Sequence, residues 1–220
     1  QCANADWLLD QQGRALDDVH ANVGVGSHIW PHGRWRIDVP GEANHAGTTA
    51  LDDRRDAMLG FAAAVIAARR AAQSRGCVAT VGKVRATPNG VNAIPSEVTG
   101  WLDARGESEA AVHQVVADVT EVMADFEATV QEESWTPTTA FDDALVRRLA
   151  SRLGGIPVLG TGAGHDAGIL AGAGVRAAML FVRNPTGISH SPEEFAEEAD
   201  CLAGVDALTR VLDDLTGATP

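Results

Sequence analysis

The sequence contains no tyrosine, a single lysine (Lys83) and only three cysteines, Cys2, Cys77 and Cys201. The cysteines are odd in number, far apart and without C-x-x-C spacing. That argues against a disulfide framework or a thiolate metal site, and a reducing, cytoplasmic compartment is the expectation. Basic residues are also scarce: 17 Lys and Arg stand against 30 Asp and Glu, a net charge of −13. A nucleic-acid binder needs a basic face to neutralise phosphate, so that class is set aside. No apolar run approaches the roughly 18 residues of a membrane-spanning helix, so no membrane partner is expected. No basic-then-apolar leader follows Gln1. Internal repeats and low-complexity linkers are missing as well.

What is present is enough for one large domain or two small ones, with 220 residues of which 45% are hydrophobic. Alternation over residues 34–40 reads as a strand. A Gly- and Thr-rich loop follows, then a long helix to Arg70, capped by Asp52 or Asp53, with Asp56 in its first turn. Met58, Phe61, Ala62, Val65 and Ile66 recur along it at helical spacing. Residues 77–86 and 97–104 read as strands, 108–126 as a second amphipathic helix, and 128–135 as a fourth strand ended by Pro137. The order β-α-β-β-α-β over 34–136 predicts a ferredoxin-like split βαβ domain, an antiparallel sheet with two helices on one face.

The remainder has a different texture. Residues 142–153 read as a helix, 156–164 as a strand ending in a Gly-rich loop, and 165–174 as a short helix. Residues 176–183 read as a buried strand of the parallel-sheet type, and 197–215 as a closing amphipathic helix. The first 33 residues read as irregular. The expected architecture is therefore part of an α/β three-layer domain, residues 1–33 and 137–220, carrying an inserted α+β domain, 34–136. Two clear strands are too few for such an α/β sheet, so part of that domain is expected elsewhere.

Four loops combine Gly or Asn with ionisable groups at strand ends: GEANHAGTT (41–49), PNGVNAIP (88–95), GTGAGHDAG (160–168) and GISHSPEE (187–194). One His in a Gly-rich loop is more often a turn residue bonded to nearby backbone than a catalytic group. Four such loops in one short chain shift the balance toward a site. His20, His28 and His32 are read as loop histidines, since Pro31 keeps His28 and His32 off one regular helix face.

These segments, in this order, resemble the M20-type metallo-amidohydrolases. The nearest branch is the hydantoinase/carbamoylase group of N-carbamoyl-L-amino acid hydrolases, allantoate amidohydrolases and β-ureidopropionases. The resemblance implies a dinuclear site of zinc, or of manganese or cobalt, in an α/β domain. It also implies an inserted lid domain that makes a homodimer, and hydrolysis of a C–N bond in a small ureido or N-acyl amino acid. By the same resemblance His190 is a metal ligand. His45 is the lid histidine that reaches across the dimer to steady the oxyanion. Asn92 and Arg105 hold the substrate carboxylate, for which the Arg fork is suited. Gly164 makes a backbone contact to substrate beside His165 and Asp166. Arg54 and Asp56 are read as a structural pair after the HAGTT loop.

The sequence also departs from the family pattern. The early His-x-Asp and Glu-Glu ligand motifs have no counterpart. A further ligand position falls on Leu9, with Gln11 at the neighbouring Glu position. Ala50 and Leu51 replace Pro and Met. One His cannot hold a dinuclear site, so the chain alone is not expected to bind the metal pair or to hydrolyse. The start at Gln1 rather than Met fits a front end lying elsewhere. Open alternatives are a split-enzyme subunit completed by a partner, a noncatalytic relative used for dimerisation or carboxylate-ligand binding, and an M20 aminoacylase or peptidase.

Overall fold

A computed structural model describes residues 14–217. The chain opens with a short helix α1 (Ala15–Asp18), β1 (Val23–Ile29), β2 (His32–Pro40) and β3 (Asn44–His45). A 3-10 turn at Leu51–Asp53 leads to α2 (Ala57–Ser74), β4 (Val78–Thr87), β5 (Ala93–Ile94) and β6 (Glu97–Arg105). Then come α3 (Glu109–Ala124), β7 (Thr129–Thr136), β8 (Thr139–Ala140) and α4 (Asp143–Arg152). The chain ends with β9 (Val158–Thr161), α5 (Asp166–Gly172), β10 (Met179–Val182) and α6 (Glu198–Thr216). Two compact units result: Pro31–Thr138, and the residues on either side of it, up to Trp30 and from Thr139.

In Pro31–Thr138 the sheet order is β4-β6-β2-β7, and every neighbouring pair is antiparallel. Alternation along β2 buries Trp35, Ile37 and Val39 and turns Arg34, Arg36 and Asp38 to the opposite face. Helix α3 begins at Ser108, whose hydroxyl accepts from the Ala111 amide, and buries Val112, Val115, Val119 and Met123.

Helix α2 differs from its sequence reading in two ways. Its N-cap is Asp56, whose carboxylate accepts from the Met58 amide at 2.9 Å, and Asp52 and Asp53 lie in the preceding 3-10 turn. Its buried stripe is Ala57, Gly60, Phe61, Ala64, Ala68, Ala71 and Ala72, whereas Met58, Val65 and Ile66 face outward. The cause is close approach. A Cβ on Gly60 would come within 2.8 Å of Val39 Cγ1 and 2.9 Å of the Phe126 ring, and one on Gly100 within 2.2 Å of Phe61 Cε2. The helix rests so near the sheet that small residues fill the contact, and the larger apolar residues are displaced to its flanks.

The second unit is organised by β1, which lies in the stretch read as irregular. β1 pairs in parallel with β9 on one edge, and antiparallel with β10 and then β8 on the other. Two glycines hid it. A Cβ on Gly24 would meet Leu16 Cδ2 at 2.9 Å, and one on Gly26 would meet Met179 Cβ at 3.1 Å. The strand needs glycine for packing although glycine weakens the strand signal. β10 is buried at all four positions, as its lack of alternation suggests, but it runs antiparallel to β1 rather than in a parallel sheet. Phe181, Leu16 and Val25 are fully enclosed in this core.

Asp200, at 0% exposure in the first turn of α6, accepts from Arg183 Nε at 2.9 Å and from the side-chain Nδ2 of Asn22. No helix among the described residues is long and apolar enough to cross a membrane. Leu9 and Gln11 lie outside the described residues.

Candidate functional site

The HAGTT loop is built from its own backbone. β3 pairs with β5, His45 opposite Ala93, and the Ala46 amide donates to the Asn92 carbonyl at 2.9 Å. The Thr49 hydroxyl donates to the His45 carbonyl at 2.7 Å. Arg54 closes the turn: its Nη2 donates to the Ala46 carbonyl at 2.7 Å and the Thr49 carbonyl at 3.0 Å, and its Nε to Thr49 at 3.2 Å. Arg54 and Asp56 therefore act separately, one bracing the loop and the other capping α2. His45 is exposed, and its Nδ1 accepts from the Gly47 amide at 3.1 Å. His45 and Asn92 are thus brought onto one two-stranded ribbon.

Arg105 is not brought to them. The β3–β5 ribbon lies beyond the sheet end where Pro40 pairs with Glu97, whereas Arg105 ends β6 opposite His32 and Val78. β6 has nine residues, which spans about 26 Å from first to last Cα. Arg105 is gripped by Asp103 through Nε at 2.6 Å and Nη2 at 2.8 Å. The carboxylate raises the guanidinium's already high pKa, partly opposed by burial, so Arg105 stays a cation. Asp103 also approaches Arg34 at 3.6 Å.

In the other unit, the loop after β9 turns into α5 at His165, whose Nδ1 accepts from the Ala167 amide at 3.0 Å. The Thr161 hydroxyl accepts from the Ala163 amide at 3.0 Å. Gly164 is exposed, and among the described residues nothing but its chain neighbours lies within 4 Å of where its Cβ would be. Gly160 underlies the loop: a Cβ there would meet His28 Nε2 at 2.8 Å and Trp30 Nε1 at 2.6 Å. His28 is a strand residue of β1, not a loop histidine, with Nδ1 2.8 Å from Ser27 Oγ. His32 likewise begins strand β2, while His20 lies in the turn after α1.

His190 lies on an exposed loop with a backbone φ of +60°. Its amide donates to Glu194 Oε2 at 2.7 Å, and the Ser189 hydroxyl to the same oxygen at 3.3 Å. Behind it stands Asn184, 1% exposed, which sequence reasoning missed. Its Oδ1 accepts from the Thr186 amide at 3.0 Å, the Thr186 hydroxyl at 2.8 Å and the Gly187 amide at 2.9 Å. Its Nδ2 donates to the Ile188 carbonyl at 2.8 Å. The legible signal was the run Asn184-Pro185-Thr186-Gly187, in which an Asn side chain replaces a turn's backbone partner.

A dinuclear metal centre does not fit the groups present. Among the described residues there is no cluster of three or more His, Cys, Asp or Glu side chains able to hold a metal ion. His190 alone supplies less than the three protein ligands a catalytic zinc takes.

The sequence matches the peptidase family M20/M25/M40 over residues 3–214. It is 30% identical to an allantoate amidohydrolase of Escherichia coli over 214 residues, covering 92% of this chain and 52% of that protein. It is 32% identical to an N-carbamoyl-L-amino acid amidohydrolase of Geobacillus stearothermophilus over 212 residues, covering 90% of this chain and 51% of that one. The chain thus spans about half the length of these curated relatives. A solved hydantoinase/carbamoylase-family amidase from Burkholderia vietnamiensis superposes with a TM-score of 0.84 at 31% identity, over 93% of this chain and 52% of that one. The mixed α/β fold with several sheets is therefore shared with these neighbours. Because the family match runs through both units and all four loops, the chain belongs to the peptidase family M20/M25/M40.

Proposed function

We propose that this chain is the portion of a metal-dependent amidohydrolase that binds an N-carbamoyl amino acid, allantoate or a related ureido acid for C–N hydrolysis. The observation that carries this reading is the β3–β5 ribbon, which joins His45 to Asn92 in a loop braced by Arg54. On this reading Pro31–Thr138 is the ferredoxin-like lid. His45 donates to the oxyanion of the tetrahedral intermediate, and Asn92 and Arg105 grip the substrate carboxylate. Gly164 and His165 are substrate contacts, and His190 is one metal ligand.

The metal, zinc or else manganese or cobalt, needs ligands beyond those the described residues supply. These come from a preceding part of the chain or from a partner, in a reducing, cytoplasmic compartment. The span of β6 supports a homodimer. A small ureido acid is far shorter than about 26 Å, so a site using both His45 and Arg105 takes them from two copies.

The test is hydrolysis by the chain completed with the missing half. Release of free amino acid from N-carbamoyl-L-amino acids, or of ammonia from allantoate, is expected. Turnover of only N-acyl amino acids or dipeptides would move it to the aminoacylase or peptidase reading. Substrate binding without turnover of either class would leave a noncatalytic carboxylate-binding subunit.

A further inference from the structure

Two of the candidate histidines, on separate units, share one local device. His45 Nδ1 accepts from the amide of Gly47 at 3.1 Å, and His165 Nδ1 accepts from the amide of Ala167 at 3.0 Å. In each case the donor is the backbone N–H two residues on. An N–H can be accepted only by a ring nitrogen with a free lone pair, so the bond selects the neutral tautomer with its hydrogen on Nε2. We propose that backbone amides lock both His45 and His165 as Nε2–H donors, with Gly47 the positioning residue for His45.

The surroundings of each ring fit this assignment. At residue 47 a Cβ would lie 3.2 Å from His45 Cε1 and 3.5 Å from Nδ1, so glycine lets the ring come down over the amide. The carbonyl of His45 is held from the other side by the Thr49 hydroxyl, and the carbonyl of Ala46 by Arg54. The loop backbone is therefore fixed before any ligand arrives. His165 is the N-cap of α5, and its ring replaces the usual Ser or Asp oxygen in accepting an otherwise unmatched helix amide.

A ring held this way offers a hydrogen bond to an oxygen through Nε2 and has no second lone pair for a proton in flight. Both histidines thus act as fixed electrophilic donors, not as proton shuttles. This deepens the oxyanion role given to His45 and rests on that reading for its catalytic meaning. The tautomers themselves can be measured in the 220-residue chain without substrate, metal or turnover.

The experiment is a long-range 1H–15N correlation spectrum of the imidazole rings, recorded at a pH where the rings are neutral. His45→Gln and His165→Gln assign the two spin systems by the signals each removes. The expected result is a protonated-type Nε2 and a lone-pair-type Nδ1 for both rings. A reversed pattern, or two equal averaged nitrogens, for either ring overturns the proposal for that residue even if hydrolysis is found. Gly47→Ala is expected to move only His45 toward the averaged pattern. An unchanged His45 in that variant removes Gly47 from the positioning role.

Discussion

The amide of Ala46 donates to the carbonyl of Asn92 at 2.9 Å, and this bond stitches together two sequence motifs separated by a helix and a strand. It makes the His45 loop and the Asn92 loop one object. Anything that deforms one should be felt by the other.

Arg54 is the brace on that object. Arg54→Ala is expected to speed hydrogen exchange at the Ala46, Thr48 and Thr49 amides and to lower stability by roughly 1–3 kcal/mol. Arg54→Lys is expected to restore little, because one ammonium cannot reproduce the fork across two carbonyls. Exchange rates equal to wild type in Arg54→Ala would show that the loop holds its shape without the brace.

The start of α2 separates two readings of the same acidic run. Asp56→Ala is expected to cost about 1 kcal/mol by urea unfolding, the usual loss of an N-cap. Asp52→Ala and Asp53→Ala are expected to stay within about 0.5 kcal/mol of wild type. Equal losses at all three would contradict the cap assignment.

Asn184 makes four bonds to the loop that carries His190 while being 1% exposed. Asn184→Ala strands several turn groups and is expected to cost about 2–3 kcal/mol. In the completed enzyme it should also weaken metal retention far more than Thr186→Ala. Normal metal content in a folded Asn184→Ala protein would separate this turn from the ligand loop.

In the completed enzyme, His45→Gln should retain more activity than His45→Ala, with the loss in kcat rather than KM. Glutamine still offers a neutral N–H. Equal loss in both variants would mean that a side-chain donor is not what the site requires.

Cys77 supplies a pH test. Burial raises its thiol above the ordinary range, and Arg75 pulls it only partly back. The folded chain therefore holds this thiol neutral where the unfolded chain has begun to ionise it. The resulting stability is complete below the unfolded thiol's pKa and is lost as pH rises through the folded value. Alkylation of Cys77 should follow a pH curve displaced upward from that of the urea-unfolded chain. Coincident curves would contradict the burial effect.

Long periodic elements were legible in the sequence: β2, β6 and α3 lie within a residue or two of their expected bounds. Two misses in the fold shared one cause, because glycine and alanine carry packing information without a hydrophobic signal. They disguised β1 and turned the expected stripe of α2 outward. In the site, the loops could be found from their motifs, but their bracing could not. Arg54 bonds to carbonyls and Asn184 to its own turn, and neither contact leaves a pattern in residue type. The distance between Arg105 and the His45 ribbon is set by sheet topology, which spacing along the chain does not encode.

Ile29 pairs with Thr139, and His32 pairs with Thr136. Each unit thus has its own cut ends held side by side by strand pairing, like a cassette whose pins stay in register when it is lifted out. Pro31–Thr138 has a core of its own and adjacent termini, so it can be excised, or reopened at a surface loop, without asking any strand to change partners. The crossing is also the natural joint for recombination. A different insert with equally close ends could be grafted between Ile29 and Thr139 while β1 keeps all three of its neighbours.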